Sequence, residues 1–142
     1  MDNKNFQKLI KRLHSKKLPD DVAKQIIKLG KDIYDYLWVI IDDTNLTDYQ
    51  VINILRILYQ MKYYDIQVFV NKLLSFTQDQ RIDVRSTACF LAICLFRIKN
   101  EFKELNIPLE QEILTKFFRQ AIEMEVHQTI KQQIDDLFKV NI

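Results

Sequence analysis

Glycine and proline, on which most tight turns depend, are almost missing from this chain. It has one glycine, Gly30, and two prolines, Pro19 and Pro108, among its 142 residues. A protein built from repeated β-hairpins needs far more of this turn chemistry, whereas the abundant leucine, lysine and glutamine favour helices. We therefore predict an all-α protein, and the chain length suits a single domain over residues 1–142.

The chain also lacks a long apolar run. The longest, Ala88–Phe96, is flanked by Arg85 and Arg97, and it falls well short of the roughly 20 residues that span a bilayer. The first residues mix apolar side chains with lysine and arginine, unlike a cleaved leader. We therefore predict a buried core helix at Ala88–Phe96, no membrane insertion and a cytoplasmic protein.

Residues that carry catalysis or bind metals are scarce. Cys89 and Cys94 have no second pair and no histidine nearby, which favours two buried thiols in a reducing compartment. His14 and His127 lie near opposite ends of the sequence, and no glycine-rich phosphate loop or nucleophile elbow occurs. The sequence predicts no catalytic residue, no metal site, no cofactor and no enzymatic activity.

Apolar residues recur at helical spacing in eight segments. Pro19 and Gly30 bound the second segment, and Thr47 with Gln50 forms a capping-box signature at the start of the fourth. Trp38 lies in the third, an apolar helix, which favours a core position over a contact position. The eight predicted helices cover roughly residues 6–14, 20–30, 32–41, 47–61, 65–77, 84–98, 108–122 and 126–138.

The segments align with one another. Placing Asp43 on Asp79 and Leu55 on Leu91 requires one offset of 36 residues, and a weaker third copy places Val126 on Val84. Such an offset suits helical hairpin repeats. The predicted hairpins pair helices 20–30 with 32–41, 47–61 with 65–77, and 83–98 with 109–122.

The segment Gln78–Ala92, an acidic turn followed by Val-Arg and a mixture of small and large apolar residues, resembles the junction between repeats of HEAT-like proteins. Asp83 and Arg85 match the junction residues that tie neighbouring repeats together in that family, although Tyr49 stands at the equivalent of Arg85 in the preceding copy. The resemblance implies a short right-handed α-solenoid of about three degenerate hairpins, capped by the first and last helices. An irregular helical bundle remains the structural alternative.

In HEAT-like proteins the inner surface of the solenoid is built from the second helix of each hairpin and binds a partner. The residues predicted to face outward there form a polar, weakly charged concave face: Asp35, Tyr36, Gln67, Asn71, Ser75, Gln111, Thr115 and Arg119. Such a face favours a protein partner over nucleic acid. The small size and degenerate repeats further resemble HEAT-like immunity proteins, which occlude a bacterial toxin. An adaptor subunit of a larger assembly would show the same features, and the partner and the oligomeric state stay open.

Charge marks two further candidate surfaces. Turns between hairpins contribute a predicted acidic edge, a candidate contact for a basic partner: Asp42, Asp43, Asp48, Asp79, Glu123 and Glu125. The first 31 residues carry nine basic and three acidic residues, and their predicted basic patch consists of Lys8, Lys11, Arg12, Lys16, Lys17, Lys24, Lys28 and Lys31. Capping helices need charge for solubility. The alternative function for this patch is nucleic-acid binding through phosphate contacts.

Overall fold

The structure is a computed structural model that describes residues 3–140 and the side chains of residues 4–138. Every regular element within these residues is a helix. The prediction of an all-α protein is confirmed, and the described part contains eight α-helices in the predicted order. They are α1 (Asn3–Lys11), α2 (Asp20–Lys28), α3 (Lys31–Ile40), α4 (Asp48–Gln60), α5 (Ile66–Phe76), α6 (Ile82–Glu101), α7 (Gln111–Met124) and α8 (Gln128–Val140). Two short 3₁₀ helices, Lys62–Tyr64 and Lys103–Leu105, precede α5 and follow α6.

Two helix ends differ from the prediction for local reasons. Helix α1 ends at Lys11 because the His14 ring turns back on it, with Nδ1 2.8 Å from the Lys11 carbonyl oxygen that a longer helix would use. Helix α7 begins at Gln111 rather than at Pro108. The link before it instead buries Ile107 and Leu109.

The backbone contacts divide the chain into a first unit, Met1–Tyr64, and a second unit, Asp65–Ile142. The single domain stays a prediction. None of the helices described is both long and apolar enough to cross a bilayer.

In the first unit, α4 packs against α2 and α3. The predicted capping box is present, because Gln50 N donates to Thr47 Oγ1 at 3.2 Å and Thr47 N donates to Gln50 Oε1 at 2.8 Å. Gly30, with φ +75°, makes the turn between α2 and α3, a left-handed conformation that glycine adopts without strain. Trp38 is buried and meets Tyr34 edge-on, so its core position is confirmed.

A buried amide fixes the loop between α1 and α2. Asn53 of α4 is fully buried, and its Nδ2 donates to the carbonyl oxygens of Leu13 at 2.7 Å and Ser15 at 2.8 Å. Arg56 Nη1 donates to Asn53 Oδ1 and to the Lys16 carbonyl oxygen. Because a buried amide is costly without partners, these bonds hold the loop to α4.

In the second unit, α6 lies at the centre and packs against α5, α7 and α8. Its buried side chains include Val84, Ala88, Ala92 and Phe96, which recur at helical spacing. The predicted core helix at Ala88–Phe96 is thus part of α6, although Phe90 on the same helix is exposed.

Candidate functional site

A groove in the second unit lies along α5 and the start of α7. It encloses about 530 Å³. We call it the α5–α7 groove, and its lining residues are Gln67, Val70, Asn71, Leu74, Lys99, Pro108, Leu109, Glu110, Ile113 and Phe117. Val70, Leu74 and Leu109 are buried and form an apolar floor, while Gln67, Asn71 and Glu110 are exposed around them.

The amphipathic pattern of α5 sets one wall of this groove. The helix buries Phe69 and Leu73, which leaves Gln67 and Asn71 on the exposed side, where Gln67 Nε2 donates to Asn71 Oδ1 at 3.3 Å. Because these two residues lie four apart, they share one face of the helix. The amides are therefore held together at the groove.

The opposite wall depends on the link that leads into α7. Lys99 of α6 donates from Nζ to the carbonyl oxygen of Leu109, which anchors this irregular segment. Ile113, in the first turn of α7, remains 44% exposed beside the apolar floor. An apolar floor with an exposed isoleucine and an amide-carboxylate rim can bury an apolar anchor and satisfy polar groups around it.

Six of the residues predicted to form the concave face lie in the second unit. Gln67 and Asn71 line the α5–α7 groove, whereas Gln111, Thr115 and Arg119 line, with Glu112, a second hollow of about 500 Å³ along α7. Ser75 is exposed and donates to the Lys72 carbonyl oxygen. Five of the predicted positions thus border cavities of the second unit.

In the first unit, Tyr36 is half-buried and stacks in a tilted arrangement on Phe6, with ring centroids 5.0 Å apart. It lines a cavity of about 370 Å³ together with Asp43 of the predicted acidic edge and Lys11 of the predicted basic patch. Three side chains that the sequence assigns to three different surfaces therefore border one cavity. Asp35 instead pairs with Lys31 at 3.5 Å.

Five residues of the predicted acidic edge are exposed: Asp42, Asp43, Asp48, Glu123 and Glu125. Asp79 differs, because its two carboxylate oxygens accept from Arg81 Nε at 2.9 Å and Arg81 Nη2 at 3.0 Å. Burial acts to raise the pKa of Asp79, but the hydrogen bonds and charge of Arg81, with the charge of Arg85, outweigh it and lower that pKa. Its charge is compensated within the protein, so Asp79 offers little to a basic partner.

The predicted basic patch lies entirely on the surface of the first unit, since Lys8, Lys11, Arg12, Lys16, Lys17, Lys24, Lys28 and Lys31 are all exposed. Arg12 pairs with Asp21 at 3.1 Å and Lys31 with Asp35. Ion pairs this exposed contribute little to stability. Both cations can therefore exchange their carboxylate for another anion.

The predicted junction residues connect three segments of the second unit. Arg85 is 4% exposed and donates to the carbonyl oxygens of Asp79 at 2.7 Å, Gln80 at 3.2 Å, Met124 at 3.0 Å and Glu125 at 2.7 Å. It thereby ties the turn before α6 to the turn before α8. We call this set of bonds the Arg85 clamp.

Asp83 and His127 add a second connection between α6 and the start of α8. His127 Nε2 lies 2.7 Å from Asp83 Oδ1. The backbone N–H of His127 also donates to Ser86 Oγ at 3.0 Å. These contacts give His127 a structural partner on α6.

Sequence reasoning missed two features. Asn53 stands alone as a polar residue in the run Val51–Leu55, and that isolation is a signal for a buried, fully bonded amide. The α5–α7 groove had no comparable signal, because Lys99 and Ile113 come from helices whose adjacency the periodicity does not specify.

Within the described residues, no group of three or more histidine, cysteine or acidic side chains is arranged to hold a metal ion. Burial raises the pKa of the Cys89 thiol to about 12 against the opposing charge of Arg85, and burial also raises the pKa of Cys94. Both thiols are therefore poor nucleophiles at neutral pH.

Comparison of the chain with protein-family models, with curated proteins and with solved structures finds no match. A function therefore has to be inferred from the geometry and chemistry of the surfaces described above.

Proposed function

We propose that this chain is a non-catalytic protein-binding module whose α5–α7 groove receives a segment of a partner protein. The observation that carries the proposal is the groove's composition, an apolar floor next to the exposed Ile113 and a rim formed by Gln67, Asn71 and Glu110. Protein interfaces bind through a few buried apolar anchors surrounded by a polar rim. The residues that line this groove include no serine, cysteine or histidine, which fits binding better than nucleophilic chemistry.

We further propose that the hairpins stack as a short right-handed HEAT-like α-solenoid, with α1 and α8 as caps. The Arg85 clamp supports this arrangement, because one side chain on a first helix binds the carbonyl groups of two successive turns between hairpins. Asn53 of α4 binds two carbonyl oxygens of a single loop, the one before α2.

The narrower proposal is that the protein is a cytoplasmic immunity protein, which binds a toxin and blocks it by steric occlusion. Its basis is the likeness of the chain to small HEAT-like immunity proteins, and a binding groove lined by no serine, cysteine or histidine is consistent with it. An adaptor of a larger assembly would use the same groove. The identity of the bound protein separates the two.

The test is a pull-down of tagged full-length protein from its native lysate, treated with nuclease, using two matched variants. Ile113→Glu places a charge in the groove, and Ile82→Glu places the same charge on an exposed isoleucine outside it. Both positions lie in the first turn of a helix, where glutamate is compatible with the helix dipole. We expect the wild type to capture a stoichiometric partner. The Ile82→Glu variant should retain this partner, whereas the Ile113→Glu variant should bind it roughly tenfold more weakly or less tightly still.

For an immunity protein, co-expression of the wild type should also rescue cells from that partner, whereas the Ile113→Glu variant should not. Retention of the partner by both variants would show that the groove is not the binding surface. If no nuclease-resistant partner is captured, the protein-binding proposal fails.

A further inference from the structure

Folding brings tyrosines from the end of the first unit beside a lysine of the basic patch. The ring of Tyr64, in the 3₁₀ helix after α4, lies 5.4 Å from the ring of Tyr34, and its hydroxyl lies against Gly30. Lys31 follows Gly30 in the chain, with its Nζ 5.9 Å from the Tyr34 ring centroid. We call Lys28, Lys31, Gln60, Tyr63 and Tyr64 the tyrosine–lysine corner.

The rings of this corner are exposed but held in place. Tyr63 is 56% exposed and Tyr64 is 47% exposed. Lys62 is buried, and its Nζ donates to the Tyr59 carbonyl oxygen at 3.2 Å, lies 4.1 Å from the Tyr59 ring centroid and makes a cation–π contact with Tyr63, 4.7 Å from that ring centroid. Because this cation–π contact fixes Tyr63 from within, a ligand would bind a ring that has already lost much of its freedom.

A cavity of about 240 Å³ adjoins both exposed rings, lined by Gln60, Met61, Tyr63 and Tyr64. Tyrosine rings stack on flat heterocycles, and this contact tolerates any base because every base has a π-face. The Gln60 amide can both donate and accept hydrogen bonds at a base edge. The cavity therefore combines the two contacts that an unpaired base requires.

The two lysines on either side of Gly30 in the chain, Lys28 and Lys31, supply positive charge for an anionic ligand. Lys28, in the last turn of α2, and Lys31 are exposed, and the pair of Lys31 with Asp35 is 3.5 Å long with both side chains more than 60% exposed. Asp32 is also exposed on α3. Because so exposed an ion pair is weak, a phosphate can replace Asp35 as the partner of Lys31.

We propose that the tyrosine–lysine corner binds single-stranded nucleic acid, with a base stacked on Tyr63, the more exposed ring, and the adjoining phosphates on Lys28 and Lys31. A duplex hides the faces of its bases, so it cannot use the rings. The corner shares no residue with the α5–α7 groove. A positive or a negative result for nucleic-acid binding at the corner therefore leaves the proposed function unchanged.

The experiment is a fluorescence-anisotropy titration of the full-length protein against a short labelled oligothymidylate at two salt concentrations. Tyr63→Ala should weaken binding roughly 5- to 150-fold, whereas Tyr63→Phe, which keeps the ring, should bind as the wild type does. Lys31→Gln should weaken binding and lower the salt slope by about 0.7. Two matched controls, Tyr49→Ala and Lys116→Gln, remove an exposed tyrosine and an exposed lysine outside the corner and should change nothing.

Circular dichroism of each variant confirms that its helices are intact. The proposal is overturned if the oligonucleotide does not bind at low salt, or if Tyr63→Ala binds as tightly as the wild type. It is also overturned if a duplex or a sulfated polysaccharide binds as tightly as the single strand. Either result would identify a general polyanion surface in which base stacking takes no part.

Discussion

At the scale of single residues, the two thiols differ in environment although both lie on α6. Cys89 is buried and Cys94 is half-buried, and burial raises the pKa of both thiols, that of Cys89 to about 12. Because the thiolate is the reactive form, raised pKa values slow the reaction with disulfide reagents. The slowing should be greater for Cys89, which is also less accessible.

We therefore predict two-phase labelling of the native protein by a chromogenic disulfide reagent near neutral pH. Cys94 should react first and Cys89 only as the protein opens, with both slower than in the unfolded chain. The variants Cys89→Ser and Cys94→Ser assign the phases, and labelling in urea supplies the unfolded rates. Equal native and unfolded rates for Cys89 would contradict the burial described.

Asp79, in the turn before α6, makes a contribution to stability that depends on pH. Burial acts to raise its pKa, but Arg81 outweighs this effect and the pKa lies below its ordinary value of 3.8. The folded protein therefore holds this carboxylate ionised more strongly than the unfolded chain does. Its stabilising contribution is present above the unfolded pKa and is lost as pH falls through the folded pKa.

We predict that Asp79→Asn lowers the free energy of unfolding by about 1–2 kcal/mol near neutral pH. The difference from the wild type should shrink as the pH falls from 3.8 through the lower pKa of the folded protein, because the wild-type carboxyl becomes protonated over that range. Urea unfolding at several pH values measures it, with the exposed Asp136→Asn as the matched control. A difference that stays constant down to the lowest pH would refute the role of the Arg81 pair.

At the scale of helices, the Arg85 clamp connects the beginning of α6 with the beginning of α8. Glu125, whose carbonyl oxygen accepts from Arg85, has φ +86°, a backbone conformation that is costly for a residue with a side chain. The turn before α8 is thus held by bonds from another helix rather than by its own preference. A guanidinium is suited to this position because its donors form a rigid fork.

Removal of this clamp should cost much more than removal of an exposed arginine on the same helix. We predict that Arg85→Ala lowers the free energy of unfolding by about 2–4 kcal/mol, since four carbonyl groups lose a donor. Arg97→Ala, the matched control on the exposed side of α6, should change it by less than about 0.5 kcal/mol. Chemical denaturation of both variants measures the difference, and equal losses would contradict the clamp.

At the scale of the whole molecule, the parts that the sequence predicts are those decided locally. Eight helices follow from apolar spacing, and the capping box follows from Thr47 and Gln50, because both depend on residues within one or two turns. The α5–α7 groove depends instead on Lys99 holding the link before α7. The tyrosine–lysine corner likewise requires Tyr64 to reach Gly30 and Tyr34. Periodicity defines the buried face of each helix but does not say which other residues border the exposed face, so both surfaces required the structure.

Burial is distributed unevenly along the chain. The uneven burial predicts which helices open last to hydrogen exchange. In the second unit, α6 packs against three helices, and its stretch Ala88–Ile93 is buried except for Phe90. In the first unit, α4 buries Val51–Leu55 without interruption. Helix α1 buries only Phe6 and Ile10 among its described side chains. Amides exchange most slowly where opening exposes the most packed surface.

We therefore predict that the central amides of α4 and α6 exchange with solvent at least about a hundredfold more slowly than those of α1, a difference of about 2.8 kcal/mol in opening free energy. Hydrogen exchange followed by mass spectrometry or by NMR measures it. Arg85→Ala should accelerate exchange in α8 and at the start of α6, because the clamp joins these segments, while Arg97→Ala should leave the pattern unchanged. Slow exchange in α1 equal to that in α6 would contradict the burial pattern from which the prediction is made.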